Sequence, residues 1–386
     1  MHPSPQVRLQ PSSPHRSAPS TPLTSQPSPP LQIEALGSAQ VAALSSGQLQ
    51  ALNSDDIASF STDDIAAIST KALAGLGTDI LSGMASSQVA ALTKTQIASL
   101  STGQVAALVS AQISAIDTAH LSALTASQVG ALTTDALSGL ASSQISALSS
   151  VQVGGLKSDQ LASLETAQVS ALTSSQIAVL SAAQIGGLST DDIATFTTDE
   201  LAAINTKALA SLSTTTIAGL ESSQLVALSK AQVAALTTTQ VATLASSQIG
   251  SLTTEQVGAL TAAQVTSLTT DAVTGLGSGQ VAVLTANQIA ALSSGQVEAM
   301  NSDQVAALTS SQIGSLSSSQ LAAMSSDEVA TFLTDEIAAI STKALAGLST
   351  DDIAGLGTNQ LEAFTSQQVS SLNADQVAAL IAARYQ

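Results

Sequence analysis

From residue 33 to residue 377 every eighth position is Val, Ile or Leu, and from 36 to 380 every eighth position is Leu, Ile, Met or Phe, with Leu at 33 of the 44. No insertion or deletion disturbs this register, so each eight-residue unit, or octad, must meet its neighbours in one geometry. The two apolar positions are three apart one way (Val41 to Leu44) and five apart the other (Leu44 to Leu49). In a continuous α-helix eight residues turn through about 800°, so the apolar stripe would drift about 80° per octad and circle the axis. One long helix is excluded. In a strand both spacings are odd, which would send the branched residue and the leucine to opposite faces.

The polar positions favour a broken helix. In "LTKTQI", residues 92–97, Thr93 stands as N-cap, Gln96 as N3, Leu92 as N′ and Ile97 as N4. That is a capping box with its hydrophobic staple. Of the 43 positions from 37 to 373 in steps of eight, 35 are Ser, Thr, Asn, Asp or Gly; of the 43 from 40 to 376, 35 are Gln, Asp or Glu. These are the residue types preferred at N-cap and N3. Each octad is predicted to be one cap, about two turns of helix, and the leucine that staples the next cap. Between the branched residue and the leucine lie mostly small residues, as in "VGGL" at 153–156, which permit close approach of backbones.

Two buried side chains cannot offset the entropy of ordering eight residues, so octads must stack. The prediction is an all-α solenoid, or superhelix, of short capped helices. A β-solenoid is the alternative, because Val, Ile and Thr favour strands. Against it stand the alanine content, the capping box and the absence of Gly, Asn-Gly or Pro turns at a fixed phase.

A longer period lies above the octad. "DDIAAISTKALAGL" at 63–76 returns as "DELAAINTKALASL" at 199–212 and "DEIAAISTKALAGL" at 335–348, an interval of 136 residues or seventeen octads. Lys71, Lys207 and Lys343 keep that interval, as do Phe60, Phe196 and Phe332. All nine prolines fall in residues 1–30, a Pro/Ser-rich arm expected to be disordered. The array occupies 31–380, and 381–386 form a tail. In "VAALIAARYQ" the cap after Leu380 is dropped, so the last helix is expected to run on as a terminal cap.

Charge and composition narrow the function. The 27 Asp and Glu all lie beyond residue 31 and face only six lysines and Arg384 there, while Arg8 and Arg16 lie in the arm. A net charge of −18 repels phosphate backbones, so no nucleic-acid partner is expected. No stretch reaches the roughly 18 uninterrupted apolar residues of a membrane span, and the arm lacks the apolar core of a cleavable signal. With no cysteine, disulfides and thiolate metal sites are excluded.

The candidate chemistry is sparse. Acids cluster as Asp55, Asp56, Asp63 and Asp64; as Asp191, Asp192, Asp199 and Glu200; and as Asp327, Glu328, Asp335 and Glu336. All fall at N2 or N3, where the helix dipole and free N–H groups favour carboxylates. The sharper reading is a divalent-cation site, since hard cations want convergent oxygens, although the glycine-containing calcium loop is missing. The three repeated lysines stand at N2 as solvated charges. His120 replaces glutamine at N3 and reads as a capping or exposed residue, while His2 and His15 lie in the arm. Phe60, Phe196, Phe332, Phe364, Met84, Met300 and Met324 take the leucine position and read as core. No nucleophile has a base placed in a repeated relation to it, so no catalytic residue and no cofactor is assigned.

Segments such as "STDDIAAI" (61–68), "TAAQVTSL" (261–268) and "TTTQVATL" (237–244) resemble the octapeptide repeats of large proteobacterial exoproteins, often labelled haem-utilisation or adhesion proteins. The resemblance covers residues 31–380 and implies a spacer or adhesion scaffold, secreted or at the cell surface. "LTTTQVATLAS" (236–246) is also similar to the first helix of TAL-effector repeats, without their 34-residue period or base-reading loop. The arm is similar in composition to type III secretion leaders, which implies a translocated scaffold that binds a host protein as the alternative. Either way the expectation is a non-enzymatic repeat protein with a protein or surface partner.

Overall fold

The structure, a computed structural model, describes residue 33 and residues 35–385; the arm at 1–30, with its two histidines and two arginines, lies outside them. Among the described residues there are 42 short α-helices, one 3-10 helix at Ala344–Gly347, and no strand. The fold is all-α, one helix per octad, and the β-solenoid is set aside. The described residues divide into two compact units, one ending at Leu100 and one beginning at Ser101. The same octad geometry builds each.

One octad shows how the local structure follows from the sequence. Thr93, at φ −66° and ψ 158°, is extended; its Oγ1 accepts the N–H of Gln96 at 3.3 Å while Gln96 Oε1 accepts the N–H of Thr93 at 2.6 Å. The helix Lys94–Ser99 follows, and Leu100 returns to extended backbone at φ −60° and ψ 137°. Leucine and cap together therefore make the corner. No described residue has positive φ, which is why the corner needs no glycine or Asn-Gly at a fixed phase.

The helices are shorter than the sequence suggests. Apart from the last, each spans four to six residues, little more than one turn rather than two. They can stop so early because the carbonyls orphaned at their C-terminal ends find acceptor roles elsewhere, as shown below. The last helix, Ala374–Arg384, does run on, through most of the segment read as a tail. It also ties back: Arg384 donates to the carbonyl of Leu361 at 2.6 Å.

The core is a double file. Every branched position from Val41 to Leu361 and every leucine-type position from Phe60 to Phe364 is buried, including Phe196, Phe332, Met84, Met300 and Met324. Helices pack against those three octads away; Ser174–Ile177, for example, meets Thr198–Ala203. Small residues let the backbones close up there. A Cβ added to Gly155 would fall 2.6 Å from the carbonyl oxygen of Ala126, three octads earlier.

Candidate functional site

Most glutamines at N3 carry more than the capping box. Their Oε1 accepts the N-cap N–H of their own helix, and from Gln88 onward their Nε2 reaches the preceding superhelical turn, as the bonds of Gln88 and Gln96 show. Gln96 Nε2 donates to the carbonyls of Ile65 at 2.8 Å and Ile68 at 2.7 Å, which are 31 and 28 residues earlier. In the second unit all 21 N3 glutamines from Gln144 to Gln376 donate to the carbonyl 28 residues earlier, at 2.5–3.0 Å. One amide thus satisfies an orphan N–H at the start of one helix and reaches two carbonyls at the end of another four octads back, one of which also accepts a backbone N–H. Since helix packing links octads three apart and the amides link octads four apart, one superhelical turn takes between three and four octads.

The ladder also explains tolerated caps. Ala141, Lys157 and Val109 have no side-chain oxygen to cap with, yet their N–H groups donate to Gln144, Gln160 and Gln112 at 2.7, 2.7 and 3.0 Å. The glutamine half of the box suffices. Sequence reasoning assigned glutamine only a capping role; the signal it missed is that of the 35 Gln, Asp and Glu residues at N3, 28 are Gln, although the carboxylates serve a capping box equally. Only the amide can donate.

The acidic clusters sort by position. Asp55, Asp63, Asp191, Asp199, Asp327 and Asp335, at N2, are exposed. Asp56, Asp64, Asp192, Glu200, Glu328 and Glu336, at N3, are buried or half-buried, and each accepts the N–H of its own N-cap residue at 2.7–3.0 Å. Among the described residues no three histidine or carboxylate side chains converge into a group that could hold a metal ion. Hydroxyl donation from Ser61 and then Ser38 holds the Asp64 carboxyl below the usual carboxylate range. Burial pushes the Glu336 carboxyl up, with neighbouring Asp335 adding to it.

Lys71, Lys207 and Lys343 are exposed, as expected for solvated charges. His120 Nδ1 lies 2.7 Å from Asp117 Oδ1, a pair formed between N3 and the N-cap. The N–H of His120 on the same carboxylate lowers the Asp117 pKa.

Besides single gaps at His120, Ala136 and Ala272, each 136-residue block contains one run of four octads without an N3 glutamine. N3 reads Asp56, Asp64, Ala72, Ile80 in the first block, Asp192, Glu200, Ala208, Thr216 in the second, and Glu328, Glu336, Ala344, Asp352 in the third. Four successive octads are a full superhelical turn without a glutamine. One rung is replaced: Asn205 Nδ2 donates to the carbonyl of Leu180 at 2.8 Å.

An open groove lies between Ser158–Ala162 and Ala182–Ile185, floored by Ala162, Ala182, Gly186 and Gly187, with Asp159 its ionisable lining residue. Among the described residues no helix is long and apolar enough to cross a membrane.

The ALTTAQ repeat matches residues 30–62, 57–94, 97–134, 161–198, 231–262, 273–310, 286–318, 330–365 and 345–381. Its letters spell the small residue, stapling leucine, cap, N1, N2 and linking glutamine, which this chain writes as "ALTTTQ" at 235–240. No curated protein matches the chain. With those matches spanning well over half of its residues, the chain belongs to the ALTTAQ repeat family.

Proposed function

We propose that the protein is a non-enzymatic repeat scaffold, a spacer or binding and adhesion module of a secreted or surface-exposed bacterial exoprotein. The observation that carries this reading is the use to which the octad puts its polar side chains. Caps and ladder amides consume them, and no buried side-chain nitrogen or oxygen among the described residues lacks a hydrogen-bond partner. What the array offers outward is repetition: exposed N2 positions, many acidic, at eight-residue intervals on a frame of fixed register. A frame bonded from turn to turn suits a spacer. The resemblance of 31–380 to exoprotein octapeptides supports a position outside the cell. The acidic surface favours a protein or a cationic surface as partner over nucleic acid.

Protease shaving of intact cells, followed by immunodetection of the array, tests the location. Loss of the signal from intact cells is expected. Retention of the full-length chain until the cells are lysed would overturn the surface reading, and export of a reporter fused to residues 1–30 through a type III apparatus would replace it with the translocated scaffold.

A further inference from the structure

Glu336 stands in the third of the gaps in the ladder, and its geometry differs from a simple missing rung. Glutamate has the shape of glutamine, with an oxygen in place of the NH2 group. The N–H of Leu333 holds Glu336 Oε2 at 2.7 Å, just as the N–H of Thr309 holds Gln312 Oε1 at 2.7 Å three octads earlier. Gln312 Nε2, the second atom of that amide, reaches the carbonyl of Leu284, 28 residues back, at 2.7 Å. In the same register, the carbonyl 28 residues before Glu336 is that of Leu308. No N–H or O–H of the described residues is bonded to the Leu308 oxygen. An ionised carboxylate there sets two acceptors against each other, whereas the neutral acid carries the one donor that fits.

We infer that Glu336 is a proton-operated rung of the ladder: a proton from solvent, bound at the free carboxyl oxygen, donates to the carbonyl of Leu308 and closes the link between turns that glutamine closes permanently elsewhere. The surroundings favour the neutral form. Glu336 is 7% exposed. Its N-cap is Leu333, which has no hydroxyl to offer the carboxylate, whereas the hydroxyls of Ser61 and Ser189 donate to Asp64 and Asp192 at 2.6 Å. The charged groups on the elements around it are acidic and exposed: Asp335 on its own helix, Glu362 on Thr358–Glu362 and Asp303 on Ser302–Ala306, while Ser310–Ile313 and Ser366–Ser371 carry none. Lys343, in the next octad, is exposed. Acidification would therefore tighten the third gap, the reverse of the usual effect of acid on a carboxylate-rich protein.

Carboxyl-carbon NMR titration of the full chain, paired with melting of wild type and Glu336→Gln across pH 4 to 7, tests this. Glu336 should titrate above the ordinary glutamate value of about 4.3, and the amide of Thr309, which shares a peptide group with the Leu308 carbonyl, should shift with the same midpoint. E336Q should melt higher than wild type at pH 7, and that difference should vanish as pH falls through the Glu336 midpoint. Glu336→Ala, which has neither donor nor acceptor, should melt lower than E336Q at every pH. A Glu336 midpoint at or below the ordinary value, or an E336Q difference that is absent at pH 7 or independent of pH, would overturn the inference.

Discussion

Gln176 Nε2 donates to the carbonyl of Leu148, 28 residues earlier, at 2.7 Å, and to that of Ile145 at 2.9 Å, while its Oε1 accepts the N–H of Thr173 at 2.7 Å. A side chain 2% exposed thus joins two successive turns of the superhelix and starts a helix as well. An eight-residue repeat lets most octads deliver one such amide to the end of an octad four places back.

Replacing Gln176 by Glu keeps the acceptor for Thr173 and removes the donor. Two carbonyls lose a partner and a charge is buried, so Q176E should lower stability at pH 7 by about 1–3 kcal/mol, measured by urea unfolding. The loss should shrink on acidification, because the protonated acid can donate again. Gln176→Ala removes the whole link and should show no such recovery.

Packing at the small positions makes a separate demand. Gly155→Val places a branched side chain where even a Cβ would lie 2.6 Å from the Ala126 oxygen. A backbone carbonyl cannot step aside as a side chain can, so the helices must separate. The expected cost is about 1–3 kcal/mol, read as a lower melting temperature. Gly103→Ala, whose added Cβ meets nothing nearer than 3.9 Å, should be close to neutral.

Asp64 should respond to pH in the sense opposite to Glu336. Ser61 Oγ donates to its Oδ2 at 2.6 Å and Ser38 Oγ to its Oδ1 at 2.8 Å. These bonds favour the ionised form, so the folded pKa lies below the unfolded one, about 3.9. The stability they contribute is present above that value and is lost as pH falls through the folded pKa. Ser38→Ala should raise the Asp64 midpoint toward the ordinary range in a carboxyl NMR titration. An unchanged midpoint would mean that the contact from three octads away does not act on this carboxylate.

How much of this was legible in the sequence depends on the range of the interaction. The cap, the staple and the apolar file act within one octad or between adjacent ones; the box at Thr93 and Gln96 could be read from residues three apart. Helix length could not, because the donor that takes up the carbonyls at a helix end is an amide 28 to 31 residues distant. The gaps at 56–80, 192–216 and 328–352 were visible as acidic clusters but were read as helix charges or candidate cation ligands. Their common property is the absence of the glutamine donor at N3, which has meaning only once the amide of Gln96 or Gln176 is seen to cross between turns. The reading of Lys71, Lys207 and Lys343 as solvated charges needed no such knowledge, since N2 points outward in any capped helix of this register.

The ladder makes register, rather than length, the quantity that the array must conserve. Deleting residues 205–340, one block of 136 within the second unit, joins Ile204 to Ser341 in phase. Gln360, which donates to the carbonyl of Phe332 at 2.5 Å, then finds Phe196 in its place, and Gln368 finds Ile204 in place of Ile340. The same residue types meet at the same separation of 28, so the shortened chain should remain helical by circular dichroism and melt near the parent, as stability in a linear array is a sum of repeat and interface terms. Deleting only residues 141–144 joins Leu140 to Ile145. It removes Gln144 and displaces by four residues the links that cross the junction, from Gln152 to Leu124, Gln160 to Leu132 and Gln168 to Leu140. Four residues are half an octad, so these amides would face the middle of a helix instead of its end. The small deletion should open a local defect and split the melt into two transitions. A silent four-residue deletion together with an unfolded block deletion would show that the octad register does not govern the fold.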